Sequence, residues 1–370
     1  MKFDVAIIGA GIVGAACAAT LSGEGLSVVV IESRGVASGT TSTGMGHIVV
    51  MDDSDAQFAL TRYSQELWNE LVPELPNSAE FENRGTIWVA ADEEELVAVR
   101  RKRRLYSERG IGAEVLDERS LSEAEPNLRA GLAGGLLVAG DSVVYQAIAT
   151  SFLIDKAKSN GAELRIGSAA VEIMANGVRL ANEDVVYAEN VVNAAGVAAA
   201  GLSPCLRIAK RKGHLVITER YPSFARHQLV ELGYLKSAHG SMDDSVAFNI
   251  QPRSTGQMLL GSSRQFGADD GSIDHKILRR MTHRAFEYMP GLRTISTTRV
   301  WTGFRPATPD NLPYIGKVPV RGNIFIAAGH EGLGITTSLG TAELIADVIL
   351  GRESVIDPGP YLPTREITQH

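Results

Sequence analysis

The sequence contains little cysteine and no long apolar run. Its 370 residues include only two cysteines, Cys17 and Cys205, and neither belongs to a C-x-x-C pair, so the pattern predicts neither a disulfide framework nor a metal site. No run of apolar residues is long enough to form a transmembrane helix. Together these features predict a protein of the reducing cytoplasm without a membrane span.

Charge is not concentrated in a way that suits a nucleic acid. The net charge of -7 is spread along the chain, which argues against nucleic-acid binding. The one dense basic run, at 100–104, follows acidic residues at 92–95 on a predicted helix, so a solvated, salt-bridged helix face is the favoured interpretation. A soluble composition over this length predicts two domains.

The N-terminus carries a glycine pattern that is typical of a nucleotide-binding turn. An apolar run, Val5–Ile8, predicts a buried parallel strand, and Gly9, Gly11 and Gly14 follow it as G-x-G-x-x-G. The first glycine permits a tight turn, the second lets the backbone approach a pyrophosphate, and the third allows close packing between helix and strand.

The residues after this turn supply the context that the motif requires. A helix is predicted at 15–21 and a second strand at 27–31, and the strand ends at Glu32, whose carboxylate suits ribose hydroxyls. The free N–H groups of the helix N-terminus favour a phosphate. We therefore predict a dinucleotide site, with a purely structural glycine turn as the alternative.

The later part of the chain departs from a simple nucleotide-binding unit. A loop of small polar residues occupies 38–47 and suits either a plain connection or contacts to a large planar cofactor. Strands predicted at 213–218, 245–251 and 258–262 indicate a mostly antiparallel sheet. A final buried strand, 324–329, leads through GHEGLG at 329–334 into a helix predicted from Ile335 to Leu350, a second helix N-terminus suited to a cofactor.

Four motifs in this order resemble those of one flavoprotein family. They are the first glycine turn with Glu32, NAAG at 193–196, WTGFRPATPD at 301–310 and GHEGLG at 329–334. The chain is similar to the FAD-dependent amine and amino-acid oxidoreductases, which include glycine oxidase, D-amino-acid oxidase and the sarcosine oxidase β subunit. Within that family, STGMGH at 42–47 and GSSRQF at 261–266 look most like D-hydroxyproline dehydrogenase, with opine oxidase and hydrogen cyanide synthase subunits as close relatives.

The resemblance implies an α/β fold with two domains. A Rossmann-type FAD-binding domain would comprise 1–50, 141–210 and 300–370. A substrate domain, built on a mostly antiparallel sheet, would comprise 51–140 and 211–299.

The resemblance also implies noncovalently bound FAD and oxidation of the C–N bond of a small amino or cyclic imino acid, by hydride transfer to flavin N5. D-hydroxyproline or D-proline is the favoured substrate. The residues assigned to FAD are Gly9, Ala10, Gly11, Ile12, Val13, Gly14, Glu32, Ser33, Thr41, Ser42, Gly44, Met45, Gly46, Val171, Ala195, Gly196, Gly329, His330, Gly332, Leu333, Gly334, Ile335 and Thr336.

Three side chains are candidates for the reaction itself. Arg305 occupies the family's carboxylate-binding position, where a guanidinium can form two parallel hydrogen bonds; a surface salt bridge is the alternative. Asn249 stands where glycine oxidase has a tyrosine, and Gly332 where it has an arginine, so glycine as substrate is in doubt. His47 could polarise the flavin, face the substrate or be satisfied by the backbone, and the role of Arg264 stays open.

Three other functions remain open at this point. The first is a glycine- or sarcosine-type oxidase, the second a weakly catalytic FAD-binding subunit of a larger redox complex, and the third an NAD-dependent dehydrogenase. The distance between the two glycine turns argues against the third. Companion redox subunits are expected as partners if the likeness to D-hydroxyproline dehydrogenase holds.

Overall fold

A computed structural model of the chain describes residues 2–233, 244–319 and 322–366. The chain divides into two compact units. Unit 1 comprises Met1–Ala79, Val144–Lys210 and Phe304–His370, and unit 2 comprises Glu80–Val143 and Arg211–Gly303.

The strands of the described residues are numbered in chain order. They are β1 Lys2–Ile8, β2 Val28–Glu32, β3 His47–Ile48, β4 Thr86–Ala90, β5 Glu114–Asp117, β6 Gly134–Val138, β7 Ser142–Val143, β8 Glu163–Ile166, β9 Ala170–Met174, β10 Gly177–Leu180, β11 Val185–Asn193, β12 Ala209–Thr218, β13 Gln228–Glu231, β14 Ser245–Pro252, β15 Met258–Arg264, β16 Thr297–Ala307, β17 Tyr314–Lys317 and β18 Ile324–Ala328.

The helices of the described residues are numbered in the same way. They are α1 Ile12–Gly23, α2 Thr40–Thr43, α3 Asp55–Leu71, α4 Glu93–Glu108, α5 Glu118–Ala124, α6 Gln146–Ser159, α7 Ala199–Leu202, α8 His275–Tyr288 and α9 Ser338–Leu350. Short 3₁₀ turns lie at Val72–Glu74, Asn77–Ala79, Gly196–Ala198, Pro290–Thr294 and Gly359–Tyr361.

Unit 1 is built on a sheet with a parallel centre. Its strand order is β17-β18-β11-β1-β2-β8, and the pairs from β18 to β8 run parallel. Strand β17 is antiparallel to β18, and β9 and β10 extend from β11 as antiparallel strands. Residues 5–7 of β1 are fully buried, as expected for a strand covered on both faces. Helix α1 packs beside α6 and α9.

Unit 2 is built on a sheet that is mostly antiparallel. Its order is β16-β12-β15-β14-β13-β4-β6-β5. Strands β4 and β13 run parallel, whereas β12–β15, β15–β14, β14–β13, β4–β6 and β6–β5 run antiparallel. One face carries the core of the unit, in which Phe248 of β14 stacks on Tyr288 of α8 with ring centroids 4.7 Å apart. The α/β class predicted from the sequence is confirmed.

Residues 51–79 belong to unit 1, whereas the resemblance implied that this stretch is part of the substrate domain. Helix α3 joins unit 1 through its contacts with the C-terminal segment. The indole Nε1 of Trp68 donates to the carbonyl oxygens of Ile335 and Thr336, both at 3.1 Å, and the backbone N–H of Gly340 donates to Ser64 Oγ at 3.2 Å. A helical pattern alone does not reveal which sheet a helix will cover.

The same contacts change the start of the last helix. The predicted helix began at Ile335, but α9 begins at Ser338. In a continuing helix, the carbonyls of Ile335 and Thr336 would accept backbone N–H groups four residues later, and here they accept the Trp68 indole instead. The polar loop 38–47 also differs from the prediction, because it contains the short helix α2.

One member of the basic run on α4 is not solvated. Lys102 is only 6% exposed, and its Nζ lies 4.7 Å from the ring centre of Trp88 and 4.9 Å from that of Tyr106. The arginines at 100, 101, 103 and 104 are exposed. The prediction of a wholly solvated basic face is therefore wrong at Lys102, where two aromatic rings bind the cation.

Candidate functional site

The first glycine turn has the close backbone contacts that require glycine. Gly9 has φ of +105°, and a Cβ atom there would lie 2.6 Å from the carbonyl oxygen of Ala194. A Cβ atom at Gly14 would lie 2.0 Å from the carbonyl oxygen of Gly9, so any side chain would push α1 away from the turn. This turn is therefore a surface of bare backbone at the N-terminus of α1.

The N-terminus of α1 is organised by side chains from elsewhere in unit 1. Gly11 is the N-cap and has no side chain to cap the helix. The hydroxyl of Thr41 takes this role from a distance, because its Oγ1 accepts a hydrogen bond of 3.1 Å from the N–H of Ile12. The loop that contains α2 thus reaches the N-terminus of α1, the end of a helix that favours an anion.

Glu32 is held at the end of β2 by backbone N–H groups. It is 9% exposed; Oε2 accepts from the N–H of Ala10 at 2.9 Å, and Oε1 accepts from the N–H of Arg34 at 2.7 Å. The hydroxyl of Ser33 lies 3.3 Å from the same Oε1. Each carboxylate oxygen has two lone pairs, so Glu32 retains acceptor capacity for ribose hydroxyls while it fixes the turn.

The three glycine-rich segments meet at the carboxyl ends of neighbouring strands. Ala194 N donates to Ile8 O at 3.0 Å, which ties the 193–196 segment to the first turn. A Cβ atom at Gly334 would lie 4.0 Å from Cγ2 of Val13, so the segment 329–334 reaches the first turn of α1. In open α/β sheets, ligands bind at this edge. The sequence predicted the segments, and the sheet order brings them together.

Two hydrogen bonds within unit 1 fix the loop 44–47. Gln146 Nε2 donates to Gly44 O at 2.8 Å, and Val144 N donates to Gly46 O at 2.8 Å. A Cβ atom at Gly46 would lie 1.7 Å from the carbonyl oxygen of Val144, so only glycine fits. Gln146 was missed by the sequence analysis, because 102 residues separate it from its partner and no local pattern marks it.

Two histidines of unit 1, the buried His330 and the half-buried His47, have pKa values well below the ordinary range. Burial lowers the pKa of His330 to about 3, and its Nε2 lies 3.0 Å from Oγ1 of Thr341 in α9. Burial also lowers the pKa of His47 to about 3. Nε2 of His47 is buried and has no hydrogen-bond partner among the described residues. A buried polar atom without a partner is uncommon, and the His47 ring is therefore available to a bound group.

Arg305 and Gly332 lie side by side in unit 1. A Cβ atom at Gly332 would lie 3.7 Å from Nε of Arg305 and 3.8 Å from its Cδ, and the N–H of Glu331 donates to Pro306 O at 2.8 Å. Gly332 is exposed and Arg305 is half-buried. Because Gly332 has no side chain, the arginine stem is left uncovered on that side.

Not every predicted residue joins this group. Val171 lies on β9 with 51% of its surface exposed. The hydroxyl of Ser42 bonds within its own loop, to the carbonyl oxygens of Ser38 and Gly39. Met45 and Leu333 are half-buried. Asn249 lies on β14 and belongs to unit 2, whereas Arg305, His47 and the glycine turns belong to unit 1.

The residues of unit 1 fit FAD. The bare turn at Gly9 and Gly14 leaves room for a pyrophosphate, and Glu32 offers acceptors for a ribose. Within the part of the chain that the structure describes, the buried Nε2 of His47 has no hydrogen-bond partner. When bound, FAD supplies a two-electron acceptor, and the protein positions the cofactor and the substrate and polarises them. Among the described residues, no group of three or more His, Cys, Asp or Glu side chains is placed to hold a metal ion. No described helix has both the length and the apolar character to cross a membrane.

The fold and these turns define a dinucleotide-binding protein of the Rossmann type. Residues 4–348 match the family DAO, FAD dependent oxidoreductase. The chain therefore belongs to this family of flavoenzymes, and its cofactor is FAD, which excludes the NAD-dependent alternative.

Curated relatives match almost the whole chain. Glycine oxidase of Geobacillus kaustophilus is 29% identical over 385 residues, covering 99% of this chain and 98% of the relative. Hydrogen cyanide synthase subunit HcnC of Pseudomonas aeruginosa is 27% identical over 423 residues, covering 98% and 96%. The crystal structure of the Geobacillus kaustophilus glycine oxidase superposes with a TM-score of 0.89 at 27% identity, covering 99% of this chain and 100% of that one.

Proposed function

We propose that this flavoenzyme oxidises the C–N bond of a small amino or cyclic imino acid. The observation that carries the proposal is Arg305, whose stem lies beside Gly332 in the unit that holds the glycine turns. A guanidinium suits a substrate carboxylate, because it forms two parallel charge-assisted hydrogen bonds. Glycine oxidase, by its name, acts on an amino acid, which supports the same substrate class here.

The favoured substrate is D-hydroxyproline or D-proline. Gly332 and Asn249 stand where glycine oxidase has an arginine and a tyrosine, so neither of these bulky side chains is present to exclude a cyclic substrate. A five-membered ring holds its α-hydrogen in one orientation, which lowers the entropic cost of reaction. His47 would contact the cofactor or the substrate through its partnerless Nε2.

Two second candidates follow from the relatives. The flavin of a glycine- or sarcosine-type oxidase would be reduced faster by glycine or sarcosine than by D-proline or D-hydroxyproline. A weakly catalytic subunit of a larger redox complex is suggested by the relative HcnC, whose name describes a subunit; companion redox subunits would then reoxidise the flavin. A cytoplasmic location remains part of the proposal.

An anaerobic reduction series tests the proposal. We expect D-hydroxyproline or D-proline to bleach the flavin faster in a stopped-flow instrument than glycine or sarcosine does. Arg305→Met should retain FAD. Its flavin should be reduced roughly tenfold to a hundredfold more slowly, or its substrate Kd should rise by the same factor, because a charge-assisted hydrogen bond contributes about 1.5–3 kcal/mol. Arg305→Lys should recover part of this loss.

The matched control is Arg62→Met. Arg62 lies on α3 of unit 1 and pairs with Glu66 at the surface, so its loss should leave reduction unchanged. Unaltered reduction in Arg305→Met would remove this residue from the site. Failure of every amino acid tested to reduce the flavin would contradict the proposed function.

A further inference from the structure

The four hydroxyl side chains of α2 form two pairs with different partners. Ser42 Oγ and Thr43 Oγ1 donate inside the turn itself, to the carbonyl oxygens of Gly39 and Thr40 at 2.9 and 3.0 Å. Thr40 and Thr41 bond instead to segments that are distant in the chain. The first pair therefore closes the turn, and the second pair connects it to other parts of unit 1.

The second pair reaches two different parts of the candidate site. Thr41 Oγ1 accepts from the N–H of Ile12 at the start of α1. Thr40 Oγ1 donates to the carbonyl oxygen of Phe304 at 2.8 Å, across 264 residues of sequence. Phe304 immediately precedes Arg305 on β16, and all of these residues belong to unit 1. Two adjacent threonines thus contact the N-terminus of α1 and the strand that carries Arg305.

The bond from Thr40 fixes the peptide plane next to the Arg305 side chain. The carbonyl of Phe304 and the N–H of Arg305 belong to one planar peptide unit, so a bond that holds the oxygen restricts the backbone of the arginine. Threonine is β-branched and stiff at χ1, and 2.8 Å is the usual length of an O–H···O hydrogen bond. The hydroxyl therefore sets both the distance and the direction of this contact.

Two further features hold the backbone of Arg305 on its other side. Arg305 precedes Pro306, which restricts it to extended conformations, and the carbonyl oxygen of Pro306 accepts from the N–H of Glu331 at 2.8 Å. The turn α2 and the glycine-rich segment 329–334 therefore hold the strand on either side of Arg305. The bond from Glu331 comes from the backbone, whereas the bond from Thr40 comes from a side chain and can be removed by substitution.

We infer that Thr40 is a positioning residue for the substrate: it aligns Arg305 through the Phe304 carbonyl, while its neighbour Thr41 caps the cofactor end of α1. This inference rests on the proposed function, in which Arg305 binds the substrate carboxylate. A small misplacement of a reacting group costs much of the rate, so an arginine that orients the α-carbon must itself be held in place.

The test measures anaerobic reduction of the flavin by D-proline in Thr40→Val. Valine keeps the shape of threonine and removes the donor. We expect the limiting reduction rate divided by the substrate Kd to fall roughly threefold to tenfold, the effect of one neutral hydrogen bond. Thr40→Ser keeps a hydroxyl and should recover most of this loss. If Thr40→Val does not fold, Thr40→Ala removes the same donor and takes its place.

Three readouts separate positioning from a general loss of structure. The Kd of FAD should stay within about twofold of the wild-type value in Thr40→Val, whereas Thr41→Val, which uncaps α1, should raise it. Reduction by D-prolinamide, which lacks the carboxylate, should change by less than about twofold. In the Arg305→Met background, Thr40→Val should likewise have an effect of less than about twofold, because Thr40 acts through that arginine.

The matched control is Thr282→Val. It removes a threonine hydroxyl that donates to the carbonyl oxygen of Leu278 at 3.0 Å within α8, and it should alter neither flavin reduction nor the Kd of FAD. If another amino acid reduces the wild-type flavin faster than D-proline does, that acid and its amide are used in the same comparison.

The outcomes separate this inference from the proposed function. Wild-type reduction in Thr40→Val, or an equal loss with and without Arg305, would overturn the positioning role while the proposed function stands. An equal loss with D-proline and D-prolinamide would overturn it as well. Failure of every amino acid to reduce the flavin would contradict the proposed function, and the positioning role would fall with it.

Discussion

The hydroxyl of Thr336 donates a hydrogen bond of 2.8 Å to the carbonyl oxygen of His47. The two residues are 289 positions apart in the chain, and the bond joins the loop 44–47 to the turn before α9. Thr336 is 1% exposed, so water cannot readily replace it. This bond holds the backbone of His47, whose ring carries the partnerless Nε2.

Thr336→Val should loosen the loop 44–47. Valine keeps the shape of threonine and removes the donor, which leaves the His47 carbonyl unsatisfied at a cost of about 1–3 kcal/mol. Urea unfolding of the holoenzyme measures the loss, and amide hydrogen exchange at 44–48 should become faster. Thr336→Ser keeps the hydroxyl and serves as the control. Unchanged exchange in Thr336→Val would show that the bond does not hold the loop.

Gly14→Ala should disrupt the first glycine turn. The added methyl would lie 2.0 Å from Gly9 O, a distance that no packed structure tolerates, so the turn must open and FAD binding should fall by more than tenfold. Gly23→Ala in the same helix is the matched control, because its Cβ would have no neighbour closer than 3.7 Å. That variant should be neutral or stabilising by up to about 1 kcal/mol. Fluorescence titration of apoprotein with FAD measures both, and equal affinities would refute the packing argument.

Glu32→Arg should weaken FAD binding. The substitution removes the ribose acceptor and the partner of Ala10 N, and more than a tenfold rise in the Kd is expected from the loss of hydrogen bonds to a charged group. Glu189→Arg is the surface control, since that side chain is 61% exposed.

The flavin itself should be noncovalently bound. Burial raises the pKa of the Cys17 thiol to about 12, so this residue is not a thiolate at neutral pH and is a poor nucleophile. Acid precipitation should therefore release all the flavin into the supernatant. Yellow colour that stays with the pellet would contradict the prediction.

Stability should fall in mild acid because of His330. Its pKa is about 3 in the folded protein, against an ordinary value of 6.5, so only the unfolded chain takes up a proton between these two values. The part of the free energy of unfolding that comes from His330 is therefore fully present above pH 6.5. It is lost as the pH falls toward 3, by about 1.4 kcal/mol per pH unit. Burial lowers the pKa of His47 to about 3 as well, so His47 adds a second part of the same sign. The free energy of unfolding in urea, measured from pH 7.5 to pH 5, should show the sum, and the part due to His330 is the difference between the wild type and a variant without this histidine.

His330→Gln should remove that part of the slope. Glutamine does not titrate, and its amide can still reach the hydroxyl of Thr341, which lies 3.0 Å from the histidine Nε2. His283→Gln changes an exposed histidine of α8 and should leave the slope as it is. Identical pH profiles for wild type and His330→Gln would show that this histidine does not control acid stability.

Local pattern was sufficient for the elements whose partners lie nearby in the chain. The strand β1, the turn at Gly9 and Gly14 and the helix α1 follow from an apolar run and glycine spacing, because each depends on contacts within about one βαβ unit. Asp92 is the N-cap of α4 and accepts from the N–H of Glu95 at 2.9 Å, a contact that lies within the first turn of the helix. The short strands predicted at 245–251 and 258–262 similarly indicated an antiparallel sheet.

Contacts between distant segments could not be derived in this way. The start of α9 at Ser338 depends on the Trp68 indole, which donates to the carbonyl oxygens of Ile335 and Thr336. The loop 44–47 depends on Gln146 and Thr336, and the burial of Lys102 depends on Trp88. No local sequence pattern marks any of these partners, and only their positions in the folded protein identify them.

The sequence by itself determined the class of this protein: glycine spacing, the acid at Glu32 and the order of four motifs indicated an FAD-dependent α/β enzyme, because backbone conformation at a phosphate site limits residue choice directly. The tertiary structure alone decided which side chains are withdrawn from water and which way they face. It put Arg305 beside Gly332 and left Nε2 of His47 without a partner among the described residues. These properties depend on strand pairing and register, which bring together residues that no local pattern connects.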